Sequence, residues 1–395
     1  MSLSSAEAIE LRPEDYLNID SRLSEEEIAI RDTVRRFVRE KVEPDIAEWF
    51  EAGQNPSGLM KELGSLGVLG MHLQGYGCAG TSATAYGVAC MELEAGDSAI
   101  RSLVSVQGSL AMFAIHRWGS EEQRQEWLPS MAAGEAIGCF GLTEPDAGSD
   151  PGSMRTRARR DGSNWILNGQ KMWITNGSVA DVAVVWAQTD EGIRGFLVPK
   201  GTPGFTTQVI NKKLSLRASV TSELLLTDVR LPSSALLIEA TSLRAPLSCL
   251  NEARYGIVWG AVGAARSCLE AALQYAGERQ VFGKPVAAYQ IQQQKLALMA
   301  LAVNRSYLLA LHLGRMKDEG ILRPEHVSMG KLGNVNDALE VARNARQVLG
   351  ANGISLEYPV IRHMVNLESV VTYEGTADVH SLVIGGALTG IHAFR

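Results

Sequence analysis

The apolar positions along the chain change period twice. From Ser24 to about Cys139 they recur at helical spacing: Ser24 with Glu27 forms a capping box, and Ile30, Val34, Phe37 and Val38 share one face before Pro44 stops the helix. Helical patterns follow near Pro56–Leu66, Ala83–Glu94, Ala99–Trp118 and Glu121–Ala133. Between about Phe140 and Pro232 the pattern turns to short runs rich in Val, Ile and Trp, punctuated by Asn168-Gly169, Asn176-Gly177 and Lys200-Gly201, which is strand and turn chemistry. From about Leu243 the helical period returns in segments near Ser248–Glu278, Val286–Asp318 and Pro324–Leu349, long enough to pack as a bundle. The expected architecture is an α-helical N-terminal domain (20–139), a central β domain (140–240) and a C-terminal helical bundle domain (241–395).

Composition narrows the function classes. The 395 residues carry a net charge of −7 and no long run of Lys and Arg, so neither a nucleic-acid partner nor an anionic membrane surface is expected. The five cysteines are scattered, with no CxxC spacing, as in a chain kept reduced without disulfides or zinc. The acidic first twenty residues lack a basic and apolar signal pattern, which predicts a cytoplasmic protein. No apolar stretch is expected to reach membrane-spanning length.

Several motifs have both a chemical and an ordinary reading. "GYGCAG" (Gly75–Gly80) matches G-x-G-x-x-G, but no second parallel strand follows it, so it reads as a glycine-rich loop between helices and not as a nicotinamide site. There is no G-x-S-x-G, and the seven histidines have no metal-ligand spacing; His363 and His380 read as surface or supporting residues. "CFGLTEPDAGSDPGS" offers small residues and backbone donors suited to a polar ring or phosphate, or is simply an interdomain loop. Trp173 in "WIT" reads by default as core. Arginines in "ARYG" and "ERQVFGKP" suit phosphate or are solvated helix-end charges. Glu374 in "TYEGT" is a carboxylate among apolar neighbours, able to serve as a base if desolvated and inert if exposed. Arg101 is a lone cation on an apolar helix, which calls for a buried anion, with Glu94 or Asp97 as internal candidates.

In order and spacing, "GLTEPDAGSD", "WITN", "ERQVFGKP", "RQVLGANG" and "YEGT" resemble the acyl-CoA dehydrogenase family, over nearly the whole chain from Leu23 to Phe394. Within that family, "RSLVSVQ", "LNEARYGI", "NGISLEYPVIRHMVNLE" and "TYEGTADVHSL" are most similar to the glutaryl-CoA dehydrogenases. The resemblance implies the acyl-CoA dehydrogenase fold with a C-terminal four-helix bundle, FAD as cofactor, and α,β-dehydrogenation of an acyl-CoA. It further implies oxidative decarboxylation of glutaryl-CoA to crotonyl-CoA, as in lysine and tryptophan degradation, with electrons passed to an electron-transferring flavoprotein. It implies Glu374 as the catalytic base, with Arg101, Ser102, Ser149, Arg254, Tyr373 and Gly375 against the substrate. Phe140, Leu142, Thr143, Ser149, Trp173, Ile174, Thr175, Thr376 and Asp378 would meet the flavin cofactor. Arg279, Phe282, Gln290, Gln347, Gly350 and Ala351 would meet the cofactor of a neighbouring subunit in a homo-oligomer, expected to be a tetramer. Two departures stand out: Ala351 where many relatives have Gly, and Ile238 in place of a frequent loop proline. The alternatives are a dehydrogenase of another short or carboxylated acyl-CoA, a non-decarboxylating glutaryl enzyme, or a non-catalytic helical assembly protein retaining the fold.

Overall fold

The computed structural model describes residues 11–394. Seven α-helices precede the sheet: α1 (Glu25–Lys41), α2 (Ile46–Ala52), α3 (Met60–Ser65), α4 (Ala83–Gly96), α5 (Ser98–Ser105), α6 (Phe113–Trp118) and α7 (Glu121–Ala132). The capping box at the start of α1 forms as its sequence predicts: Glu27 N–H donates to the Ser24 hydroxyl, and Ser24 N–H donates to the Glu27 carboxylate. Val34, Phe37 and Val38 are buried, so this face is core. The Gly75–Gly80 segment is a loop in which Gly75, Gly77 and Gly80 take positive φ.

The central unit is one sheet of seven strands: β1 (Gly138–Gly141), β2 (Arg157–Asp161), β3 (Asn164–Thr175), β4 (Val182–Thr189), β5 (Gly192–Pro199), β6 (Phe205–Val209) and β7 (Thr221–Pro232). The order is β1-β4-β2-β3-β7-β6, with β5 antiparallel to β4. The ladder of β3 with β7 breaks between Lys171 and Ile174, which leaves Met172 and Trp173 out of register. Such a bulge re-aims side chains. Trp173 accordingly sits at φ 63° with its indole about half exposed.

Five helices complete the chain: α8 (Arg244–Glu278), α9 (Gln290–Asp318), α10 (Pro324–Leu349), α11 (Pro359–Val370) and α12 (Ala377–Thr389). The three long ones pack on each other, and the shorter α11 and α12 lie against α10. Helix α8 is buried along most of its length because α4 covers it from the N-terminal side.

The helical stretch Ser98–Trp118 and helix α9 are both long and apolar enough to cross a membrane, contrary to the expectation from sequence. The first stretch passes by length and composition because its charged side chains are few, and the one at Arg101 is paired with Glu94 inside the protein. Ser98–Trp118 is 94% buried in its most apolar window, so its apolar surface is spent on the core.

Glu92 of α4 ties the N-terminal helices to α8. Its carboxylate takes paired hydrogen bonds from Arg266 (2.8 and 2.6 Å) and from Arg35 (2.9 and 2.9 Å). Burial pushes its pKa upward, but the two guanidinium groups outweigh it and hold the carboxyl at about 2. Glu92→Gln removes the paired carboxylate of buried Arg266 and leaves it only Glu270 at 3.6 Å; breaking such a buried pair typically costs about 3–5 kcal/mol. The folded pKa lies below the ordinary 4.5, so this stabilisation is complete above 4.5 and fades as pH falls toward 2. Urea melts of both proteins at pH 7 and pH 3 are therefore expected to show a large gap at pH 7 that narrows at pH 3.

Candidate active site

The turn between α11 and α12, Val371–Thr376, carries Glu374. The Thr376 carbonyl accepts His380 N–H in the first turn of α12, whereas the carbonyls of Tyr373, Glu374 and Gly375 are taken by side chains reaching in from other elements. Arg254 of α8 donates Nε to the Glu374 carbonyl at 2.6 Å and Nη1 to Asn251 at 2.9 Å. Lys331 of α10 donates Nζ to the carbonyls of Tyr373 and Gly375 at 2.5 and 2.6 Å. Glu374 is held at φ 52°, a left-handed conformation disfavoured for any residue with a Cβ. Gly375 follows at φ 100°; a Cβ there would lie 2.9 Å from His380 Nε2.

The carboxylate that results is poised for proton transfer. Its Oε2 is closed off from solvent and has no hydrogen-bond partner within the described residues. Burial raises the Glu374 pKa above the usual carboxylate range; Arg101, Lys331 and Arg254 pull it back, and Glu94 adds to the rise. Burial also lowers the Lys331 ammonium to about 7, against the pull of Glu374.

Arg101 stands fully buried beside this turn. Its Nε donates to Glu94 Oε2 at 2.6 Å, and its Nη2 donates to the Tyr373 hydroxyl. Of the two internal anions considered from sequence, Glu94 is the partner. Asp97 instead caps α5 through Ala99 N–H at 2.7 Å and faces Arg362 at 3.2 Å. Arg101 Nη1 and Glu94 Oε1 are left buried and unpartnered. Gly260 of α8 makes room for the pair, since a Cβ there would come within 1.8 Å of Glu94 Oε2.

A second group gathers at the sheet. Lys171, fully buried, donates Nζ to Glu144 at 2.8 Å and to the Leu142 carbonyl at 3.1 Å, while Met172 N–H donates to the Thr143 carbonyl. Glu144 also receives the N–H groups of Arg155 and Thr156. These bonds pin the Leu142–Thr143 loop against the bulge that exposes Trp173. Phe140, Leu142 and Ile174 are buried, Thr143 and Thr175 are partly accessible, and Ser149 is exposed. The hydroxyls of Thr143, Ser149 and Thr175 make no side-chain hydrogen bond within the described residues. An outward indole next to the Thr143 loop, with the Thr143 and Thr175 hydroxyls open to a further partner, suits a flat, polar ring system, and this observation supports a flavin there.

The remaining predicted site residues divide. Ser102 is buried next to Arg101, Thr376 caps α12 by accepting from Val379 N–H, and Asp378 is exposed in the first turn of that helix. Arg279, Phe282, Gln290, Gln347, Gly350 and Ala351 are all exposed, around the C-terminal ends of α8 and α10 and the start of α9. Phe282 is 94% exposed at the tip of a two-residue-per-strand hairpin, and no hydrogen bond among the described residues joins this group to Glu374. Ile238 is exposed as well.

Three readings from the sequence need correction. Trp173 is not core, because the bulge turns it outward. Of the two readings of His363 and His380, the surface one fails and the supporting one stands open: both are buried, and His380 Nδ1 lies 3.0 Å from Ser328 Oγ beneath the Glu374 turn. Lys331, Lys171 and Glu144 were missed; the only available signal was a lone charged residue at each buried position.

Profiles of the acyl-CoA dehydrogenase N-terminal, middle and C-terminal domains match residues 24–135, 139–229 and 243–389. The chain belongs to the acyl-CoA dehydrogenase family. This acyl-CoA dehydrogenase is 66% identical to a glutaryl-CoA dehydrogenase structure from Mycobacterium smegmatis, with a TM-score of 0.96 and coverage of 98% of this chain and 100% of that one. It is 63% identical to a Mycobacterium smegmatis glutaryl-CoA dehydrogenase in complex with FADH2, with a TM-score of 0.96 and coverage of 97% and 99%. The human mitochondrial short-chain specific acyl-CoA dehydrogenase is 37% identical over 363 residues, covering 90% of this chain and 88% of that protein.

Proposed function

We propose that this acyl-CoA dehydrogenase binds FAD and oxidises glutaryl-CoA at its α,β carbons, with Glu374 as the base and crotonyl-CoA and CO2 as products. The observation that carries the reading is the Glu374 carboxylate itself: one oxygen sealed from solvent and unpartnered, on a left-handed turn held by two cations. The α-proton of a thioester is only weakly acidic, so its removal needs a desolvated and oriented base. FAD, when bound, supplies the acceptor for the hydride leaving the β-carbon. Glu374 takes the α-proton, and its own backbone N–H is a donor available to the developing enolate oxygen. Arg101 Nη1 is the donor for the distal carboxylate of the substrate, with Ser102 beside it, and Arg254 borders the thioester end. After oxidation the γ-carboxylate leaves as CO2, its electron pair moves into the conjugated thioester, and Glu374 returns the proton.

An electron-transferring flavoprotein is the partner that takes the electrons. A homotetramer is the assembly this reading calls for: exposed Arg279, Phe282 and Gln290, with Gln347, Gly350 and Ala351, would then complete the cofactor site of a second copy. Apolar side chains exposed on the same helices, Ile291, Leu298 and Leu301, suit burial against such a copy.

One observation favours a second reading. Arg101 already has Glu94 as its counter-ion, so its own charge is balanced before any substrate carboxylate arrives, and the site suits a short monocarboxylic acyl-CoA as well. Anaerobic reduction of the purified flavoprotein by glutaryl-CoA and by butyryl-CoA, with CO2 trapped, separates the two. Glutaryl-CoA is expected to bleach the flavin at least tenfold faster and to release one CO2 per turnover. Faster bleaching by butyryl-CoA, or bleaching by glutaryl-CoA without CO2, rejects the proposal.

A further inference from the structure

We propose that Lys331 is the positioning residue of the Glu374 carboxylate, clamping the turn that aims it through the main-chain carbonyls on either side. The inference rests on the reading of Glu374 as the base. Three successive carbonyls, of Tyr373, Glu374 and Gly375, are each taken by a buried or partly buried cation: Lys331, Arg254 and Lys331 again. A residue strained at positive φ persists only where its surroundings over-determine it. On the far side His380 sits against Gly375, so the turn cannot relax toward α12.

A neutral side chain could have served a purely structural clamp. Asn334, one turn further along α10, satisfies two carbonyls, of Val258 and Ser306, with a plain amide. Lys331 does the same with an ammonium, 1% exposed and with no carboxylate within ion-pair distance among the described residues. The charged and titratable groups facing it are Glu374, Arg254, Arg101 and His380. Carbonyl bonding also outlasts deprotonation, because a neutral amine keeps two N–H donors for two acceptors. The clamp therefore holds on both sides of neutrality, while the positive charge favours an ionised Glu374 when present.

The test isolates proton transfer from hydride transfer. A short 3-thiaacyl-CoA has an acidic α-proton but a sulfur where the β-hydride would be, so its α-proton exchange into D2O, followed by NMR on the FAD-loaded enzyme, reports the base alone. Lys331→Met is expected to slow exchange at least tenfold while the variant still folds cooperatively and its flavin content and half-saturating probe concentration stay near the parent's. Lys331→Gln, which keeps two N–H donors on a shorter stem, carries the same expectation if the Met variant does not fold. A fall of less than tenfold in a folded variant overturns the proposal. Loss of flavin or fold in both variants also overturns it, by making Lys331 a residue of the core alone. Glu374→Gln run alongside separates the two readings. Parental exchange in that variant removes the base itself, whereas a silent Glu374→Gln with an unimpaired Lys331 variant removes only the clamp.

Discussion

Replacing Glu374 with Gln is expected to slow anaerobic flavin bleaching by roughly 10²–10⁴-fold, the usual worth of a positioned general base. The substitution keeps the side chain's shape, and the surrounding cations keep other partners: Arg101 retains Glu94 and Lys331 retains two carbonyls. The variant should thus fold, hold flavin and bind acyl-CoA with little change. The base works only when ionised, and its pKa is raised by burial, so the parent's rate should climb as pH rises through a value above the ordinary 4.5. That limb should vanish in the variant. Stopped-flow bleaching across pH 5 to 9 makes the comparison; a variant within tenfold of the parent, with the limb intact, rejects the role.

Arg101→Ala is expected to be the second largest effect, and a selective one. Truncating one partner of a buried, hydrogen-bonded charge pair generally costs about 2–5 kcal/mol, on the order of 30- to 4,000-fold in kcat/KM for glutaryl-CoA. Butyryl-CoA, with nothing to offer Nη1, should lose less than tenfold. The same change strands Glu94, fully buried, so part of any loss reflects stability. The double variant Glu94→Gln with Arg101→Ala removes that contribution and should regain stability without regaining glutaryl-CoA turnover. Equal losses on both substrates in the double variant would sink the specificity argument.

How much of this was legible beforehand differs by element. Periodicity alone placed the helix–strand–helix order, since one-face burial leaves its mark every 3.6 or every 2 residues. The end of α10 at Leu349 and the capping box of α1 were readable from local chemistry. The exposure of Trp173 was not legible from periodicity: a bulge is a mismatch between two strands, and β7, which creates it, lies far along the chain. The same holds for His380, buried by packing that its own neighbours do not encode.

By itself the sequence determined the three-part architecture, the family and the candidate base, because those depend on local periodicity and on short motifs kept in register. Only the tertiary structure decided that Glu94 and not Asp97 neutralises Arg101, that Lys331 grips the turn beside Glu374, and that Lys171 binds Glu144 behind the Trp173 bulge. Each of these is a buried charge whose partner lies elsewhere along the chain. Whether such a charge is tolerable is set by the low-dielectric surroundings that folding assembles around it, and not by the residues next to it in sequence.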